Sequence, residues 1–204
     1  MATKYGFSDV REQLVGDLKG AYPTKREDFE STSVLGEDVF GSPKPHPNAV
    51  LNLFLEQNVK FASPFAAYRA SLRELPTLIS GEPGAVLPRL TLASIIRGRE
   101  EILRVMAQAA HTIAYKDILP SVFCGNKCML NRSIDLTNRA EILAKIRGAM
   151  IGERKGGPLS TPSLESLACA GCIKKIEASH ATWRSRCWEL LPATFSVAKG
   201  WDEV

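Results

Sequence analysis

The chain lacks any stretch approaching the roughly 20 consecutive apolar residues that a membrane-spanning helix needs. Its opening residues, MATKYGFSDVREQLVGDLKG, hold neither an apolar h-region nor a small-residue cleavage site. No membrane association is therefore expected, and the expected location is intracellular, cytoplasmic or nuclear, where thiols stay reduced. No run of Lys and Arg exceeds two residues. The 26 basic and 22 acidic side chains give a net charge of only +4, too weak a field to mark a nucleic-acid binder. Residues 1–119 are balanced in charge, so the basic excess lies wholly in residues 120–204. Alternating strand patterns are scarce, and there is neither an internal repeat nor a low-complexity tract.

Catalytic signatures are missing as well. There are three histidines: His46 lies among prolines, while His111 and His180 fall in helical patterns. They suggest no Ser/His/Asp arrangement. The nearest thing to a phosphate loop, RKGGPLST, lacks the lysine and spacing of a P-loop. The expectation is a protein that is not an enzyme.

What is present is helical periodicity and enough apolar residues, 45% of 204, for a real core. Ser8 caps a helix whose Val10, Leu14 and Leu18 repeat every fourth residue, with Gly20 and Pro23 stopping it. Residues 24–47 carry charges, glycines and prolines and read as a long irregular connection. Asn48 opens a strongly apolar segment, NAVLNLFLEQN, expected to be largely buried. Ser63-Pro64 starts a helix with Phe65, Tyr68, Leu72 and Leu75 on one face. ISGEPGAVLP then precedes a longer helix over about Thr91–Tyr115, with Leu92, Ile95, Ile96, Leu103, Met106, Ala110 and Ile113 as its stripe.

Further on, Asn138 and Glu141 form a capping box ahead of Ile142, Leu143, Ile146 and Met150. ERKGGPLSTPS breaks that helix, and Thr161-Pro162 starts a short turn of another. A last helix is expected from about Ile173 to Leu191, ending at Pro192, with Ile173, Ile176, His180, Trp183, Cys187 and Leu190 on one face. On that face Cys187 reads as core and His180 as a packed histidine rather than a ligand. The tail, with Phe195, Val197 and Trp201, is expected to dock. The fold class is all-α, an irregular multi-helix assembly.

Four of the five cysteines stand in pairs. Cys124 and Cys128 are spaced C-x3-C around Gly125 and Asn126, and Cys169 and Cys172 are spaced C-x2-C around Gly171. Turn-forming residues between the sulfurs let each pair face one point, and four thiolates at tetrahedral corners suit a structural zinc ion. The insertion between the pairs is longer than in compact zinc ribbons, yet closure entropy grows only logarithmically with loop length. A zinc site at Cys124, Cys128, Cys169 and Cys172 would staple the C-terminal half. Ordinary reduced thiols and disulfides are the alternatives. A thiol redox pair at Cys169 and Cys172 is a further one, although the βαβ context of such motifs is missing.

These segments resemble the helical C-terminal region of BTB/POZ-domain proteins of mushroom-type fungi. The similar segments are ATKYGFSDVREQLVGDLKGAYP, with Ala2, Tyr5, Phe7 and Arg11, and NAVLNLFLEQNVKFASPFAAYRASLREL, with Val50, Leu51, Leu53, Pro64, Tyr68 and Leu72. LTLASIIRGREEILR, with Gly98, Arg99 and Glu100, follows. The closing part is similar through Leu167, Cys169, Cys172, Trp183, Trp188, Leu191, Pro192 and Phe195. The resemblance implies a helical post-BTB region over residues 1–119 and a cysteine-paired helical region over 120–204, in one continuous fold. It implies a protein-protein interaction or adaptor module. Dimerisation through the BTB domain and a cullin-type ligase as partner are expected only where a BTB domain is supplied, because that domain would precede the first segment and Met1 stands there instead. An inactive gene-model fragment is the bland alternative. Exposed apolar surface near Tyr5, Phe7 and Val10, and with it self-association, is the corresponding expectation for the isolated chain.

Overall fold

Helix accounts for 81% of the residues described by this computed structural model, and strand for none, in accord with the all-α expectation. The structure describes residues 8–31, 45–80, 85–112, 170–197 and 199–201, without the side chains of 8–11, 30, 31, 110 and 172. The helices are α1 (Ser8–Ala21), α2 (Arg26–Ser31), α3 (Pro47–Glu56), α4 (Ser63–Ser71), α5 (Leu75–Ser80), α6 (Arg89–Thr112) and α7 (Ala170–Thr194), with a 3₁₀ turn at Lys60–Ala62. The chain divides into two compact units, Met1–Arg99 with Glu189–Val204 and Glu100–Trp188. The expected boundary at residue 119, the capping box at Asn138 and the helix start at Thr161 lie outside the described residues.

In the first unit the core is built on α4. Its small residues, Ala66, Ala67 and Ala70, let neighbours approach closely, and nearly every position from Ser63 to Ser71 is buried. A helix buried all round belongs at the centre of a fold. It packs against α3 and the 3₁₀ turn. Aromatic rings converge on Phe65 edge-on: Phe29 at 5.5 Å and Tyr22 at 6.1 Å between centroids, while Tyr22 also meets Phe54 at 4.8 Å. Each such edge-to-face pair adds about 0.5–1.5 kcal/mol beyond the area it buries.

These contacts explain a departure from the sequence reading. Residues 24–47 were expected to be irregular throughout, yet Arg26–Ser31 is helical. One turn suffices to aim Phe29 at Phe65, a tertiary demand that overrides a charged, poorly periodic local sequence. α1 shows the reverse. Its Leu14 is exposed and Leu18 half-buried, and burial begins only at Ala21 and Tyr22.

The expected stripe from Phe65 through Leu75 also divides. α4 ends at Ser71, and the amides of Leu72 and Arg73 make tight i→i−3 bonds to the carbonyls of Arg69 and Ala70. Pro76 has no N–H to give Leu72, and its ring would clash with that carbonyl, which disfavours one continuous helix through this point. A new helix, α5, begins at Leu75, which is exposed. In α3, Leu53 and Leu55 are exposed although the segment reads as largely buried.

In the second unit, Ile102, Val105, Met106 and Ala109 of α6 are buried, as are Ile176, His180, Arg184, Cys187 and Trp188 of α7. Cys187 Sγ lies 3.6 Å from Met106 Sδ, so Cys187 is core as expected. The buried face of α6 is rotated from the expected stripe: Leu92, Ile96 and Leu103 are only half-buried.

α7 likewise runs further than its sequence suggests, beginning at Ala170 and passing through Pro192 to Thr194. A proline this close to a helix end forfeits one i→i−4 bond, and Pro192 sits among buried residues. The following turn restores carbonyl partners: the amide of Val197 bonds Pro192 O at 2.9 Å and that of Ser196 bonds Ala193 O at 3.0 Å. With Ser196 at φ 58°, this is a complete Schellman motif.

Candidate functional site

A cleft of about 360 Å³ opens in the first unit. Two helix ends wall it. α3 finishes as α7 does: Asn58 sits at φ 53°, and the amides of Val59 and Asn58 bond Phe54 O and Leu55 O at 2.8 and 3.3 Å. Thus two Schellman caps, at Asn58 and Ser196, border one depression. Asn tolerates the left-handed region better than most residues, whereas Ser196 bears strain that glycine would not.

Leu51, Phe54, Ala67 and Ile95 are the most buried apolar residues of the lining, with Phe195 on the α7 side. Ser94 Oγ donates to the Phe195 carbonyl at 2.7 Å and Ser63 Oγ to the Val59 carbonyl at 2.7 Å. These two hydroxyl donors are thereby satisfied within the fold, while Asn58, Lys60, Thr91 and Ser196 add polar groups to a lining in which apolar residues predominate. Opposite, Asn52 Nδ2 donates to Val86 O at 2.9 Å and anchors the extended run ahead of α6. That run alternates, with Ala85 and Leu87 buried and Val86 exposed.

The rim is the unusual part. Leu90, in the first turn of α6, is 85% exposed, and Leu55 is 41% exposed; both line the cleft. Val86, bonded to α3 through Asn52, is 59% exposed. Single exposed leucines are ordinary, but a group of them beside an apolar depression marks a binding surface. Lys60 lines the cleft, and Glu56 and Arg89 are the sequence neighbours of Leu55 and Leu90; all three are exposed, and none forms an ion pair among the described residues.

The residues singled out by sequence stand elsewhere. Cys124, Cys128 and Cys169 lie outside the described residues. Cys172 falls in the first turn of α7, and its side chain is likewise not described. Gly171, read as the turn of a knuckle, is helical. Among the described residues no group of three or more His, Cys, Asp or Glu could hold a metal ion, and no helix is long and apolar enough to cross a membrane. Tyr5 and Phe7, and the side chain of Val10, are also outside the description.

In the second unit, His180 is fully buried, and neither ring nitrogen has a hydrogen-bond partner among the described residues. Burial, with the Arg184 guanidinium one turn on, holds its pKa down at about 4, so the imidazole is neutral near pH 7. Burial pushes the Cys187 thiol up to about 11, which makes it inert as a nucleophile at neutral pH. On the surface, Arg104 donates two hydrogen bonds to the Glu101 carboxylate, which holds that carboxyl below its usual range.

The cleft was missed by the sequence reading. Its signal was present in Leu90, an apolar residue outside the stripe assigned to α6. No family model, curated protein or solved structure matches the chain.

Proposed function

We propose that the chain is a non-enzymatic protein-protein interaction module whose binding surface is the leucine-rimmed cleft of the first unit. The observation that carries this reading is Leu90, 85% exposed at the edge of an apolar depression. A large apolar side chain left in water beside a groove gains about 1.5–3 kcal/mol when a partner covers it. Two of the hydroxyls in the cleft, those of Ser63 and Ser94, are engaged by backbone carbonyls.

The resemblance to the helical region of fungal BTB/POZ proteins supports the same class of function. An adaptor role beside a BTB domain, with a cullin-type ligase as its partner where that domain is supplied, belongs to this proposal, as does an intracellular location. A structural zinc ion held by Cys124, Cys128, Cys169 and Cys172 completes it, supported by the cysteine spacings alone.

The test is photo-cross-linking in cells with benzoylphenylalanine at position 90 and, as a control, at the exposed position 104. Discrete protein adducts from position 90 that position 104 does not give are expected. No adduct from position 90, or the same adducts from both, would overturn the reading.

A further inference from the structure

The lining of the cleft has charge of one sign. Among its described residues Lys60 alone is charged, and no carboxylate joins it; Glu56 and Arg89 adjoin the rim but lie outside the lining. The helix ends add to that sign. α3 and α7 reach the cleft by their C-termini, where the amides of Asn58, Val59, Ser196 and Val197 engage backbone carbonyls and close the ends. α6 reaches it by its N-terminus, through Leu90 and Thr91. There the amide of Leu92 bonds Pro88 O at 2.8 Å, and a proline before the helix offers no side-chain acceptor to the amides ahead of that bond. The amides of Arg89, Leu90 and Thr91 have no acceptor among the described residues, and a helix start carries roughly half a positive charge. Size bears on the kind of occupant. A hollow of about 360 Å³ is near the lower end for small-ligand pockets. A small molecule filling it would leave Leu90, 85% exposed, and Leu55 in water on the rim, whereas a chain segment crossing hollow and rim covers them all.

We infer that the occupant of the cleft is an acidic, apolar segment of a partner protein, which sets a bulky apolar side chain over Leu51, Phe54, Ala67 and Ile95 and a carboxylate beside Lys60 and the start of α6. This names the partner's chemistry for the interaction reading above and rests on it. A basic segment would bring its cation against Lys60 and a positive helix end. An uncharged one would gain nothing from either.

The experiment selects a random-peptide phage library on the full chain, with Leu90→Ala as the counter-target and circular dichroism confirming that each variant is folded. Enriched sequences are expected to set Leu, Phe or Trp close to Asp or Glu and to be poor in Lys and Arg. The most enriched one, made as a synthetic peptide, is then titrated against the variants. Leu90→Ala is expected to weaken its binding about tenfold, the loss of one covered leucine. Lys60→Glu is expected to weaken it about three- to tenfold, since an exposed attraction becomes a repulsion. A peptide with its acid changed to Lys should bind the wild type more weakly but Lys60→Glu more tightly than the acidic peptide does, a swap that a merely structural effect of Lys60 would not produce. Enrichment of basic or uncharged peptides would overturn the inference, as would no enrichment over Leu90→Ala, or an acidic peptide indifferent to Lys60→Glu. If any of these came with discrete cross-links from position 90, the interaction reading would stand and the acidic partner would fall. Without cross-links, both would fall.

Discussion

The ring of Phe195 occupies the space that a side chain on Gly98 would need: a Cβ built on Gly98 overlaps two of its carbons. The bare backbone of α6 at this point admits the turn after α7, and Ser94, one helical turn earlier, fixes that turn by donating to the Phe195 carbonyl. Glycine inside a helix costs about 1 kcal/mol relative to alanine, so packing of the ring must offset it. Gly98→Ala is expected to destabilise the chain by about 1–3 kcal/mol, the usual cost of overpacking. Phe195→Ala removes the ring and costs about 3–5 kcal/mol. In that background Gly98→Ala should become neutral or stabilising. Urea titrations of the single and double variants measure this coupling, and additive losses would refute the contact.

Ser196 tests the cap of α7. At φ 58° a serine bears strain that glycine does not, and Ser196→Gly is expected to stabilise by roughly 0.5–1 kcal/mol. Asn58→Gly should gain less, because asparagine already tolerates this region. Thermal melts that rank the two in the opposite order would count against the two-cap description of the cleft.

The buried imidazole of His180 makes stability depend on acid. Its folded pKa, about 4, lies below the ordinary value of 6.5, so between these values the unfolded chain binds the extra proton. The stabilisation is full above pH 6.5 and is lost as pH falls from there through 4. A shift of that size corresponds to an upper bound on the order of 3 kcal/mol. His180→Phe should flatten the pH dependence in this window, as read by denaturation at a series of pH values.

Cys187 titrates in the other direction. Its folded pKa, about 11, lies above the ordinary 9.0, so its contribution is complete below pH 9.0 and is lost as pH rises towards 11. Its thiol should resist a water-soluble disulfide reagent in the native chain at pH 8. Cys187→Ala should cost about 1–2 kcal/mol, the loss of a small buried side chain. If the four paired cysteines hold zinc, elemental analysis should give one equivalent in the wild type and in Cys187→Ala, and none in Cys172→Ser. Metal retained by Cys172→Ser would remove that site.

The helical class and most of the helix positions were legible in the sequence because 3.6-residue periodicity and proline punctuation are local signals. Ser63-Pro64 and the core role of Cys187 followed from them, and the docking of Phe195 from the apolar residues kept in the tail. What escaped depended on distant partners. The short helix at Arg26–Ser31 exists to bring Phe29 to Phe65. α7 passes Pro192 because a cap beyond it satisfies the carbonyls left over. The rotation of the α6 face, with Ile102 and Val105 buried and Leu103 half-exposed, follows from what that helix packs against. The cleft was invisible for the same reason, since α3, α6 and the end of α7 meet there from distant parts of the sequence.

A protein-binding surface at Leu90 must be something the fold does not itself need. Equilibrium denaturation of Leu90→Glu measures this most directly. The expected result is a stability within about 0.5 kcal/mol of the wild type under conditions where both are monomeric, as for a surface substitution away from special features. A loss of 2 kcal/mol or more would show that Leu90 belongs to the core, and would contradict the assignment of the cleft as an interaction surface.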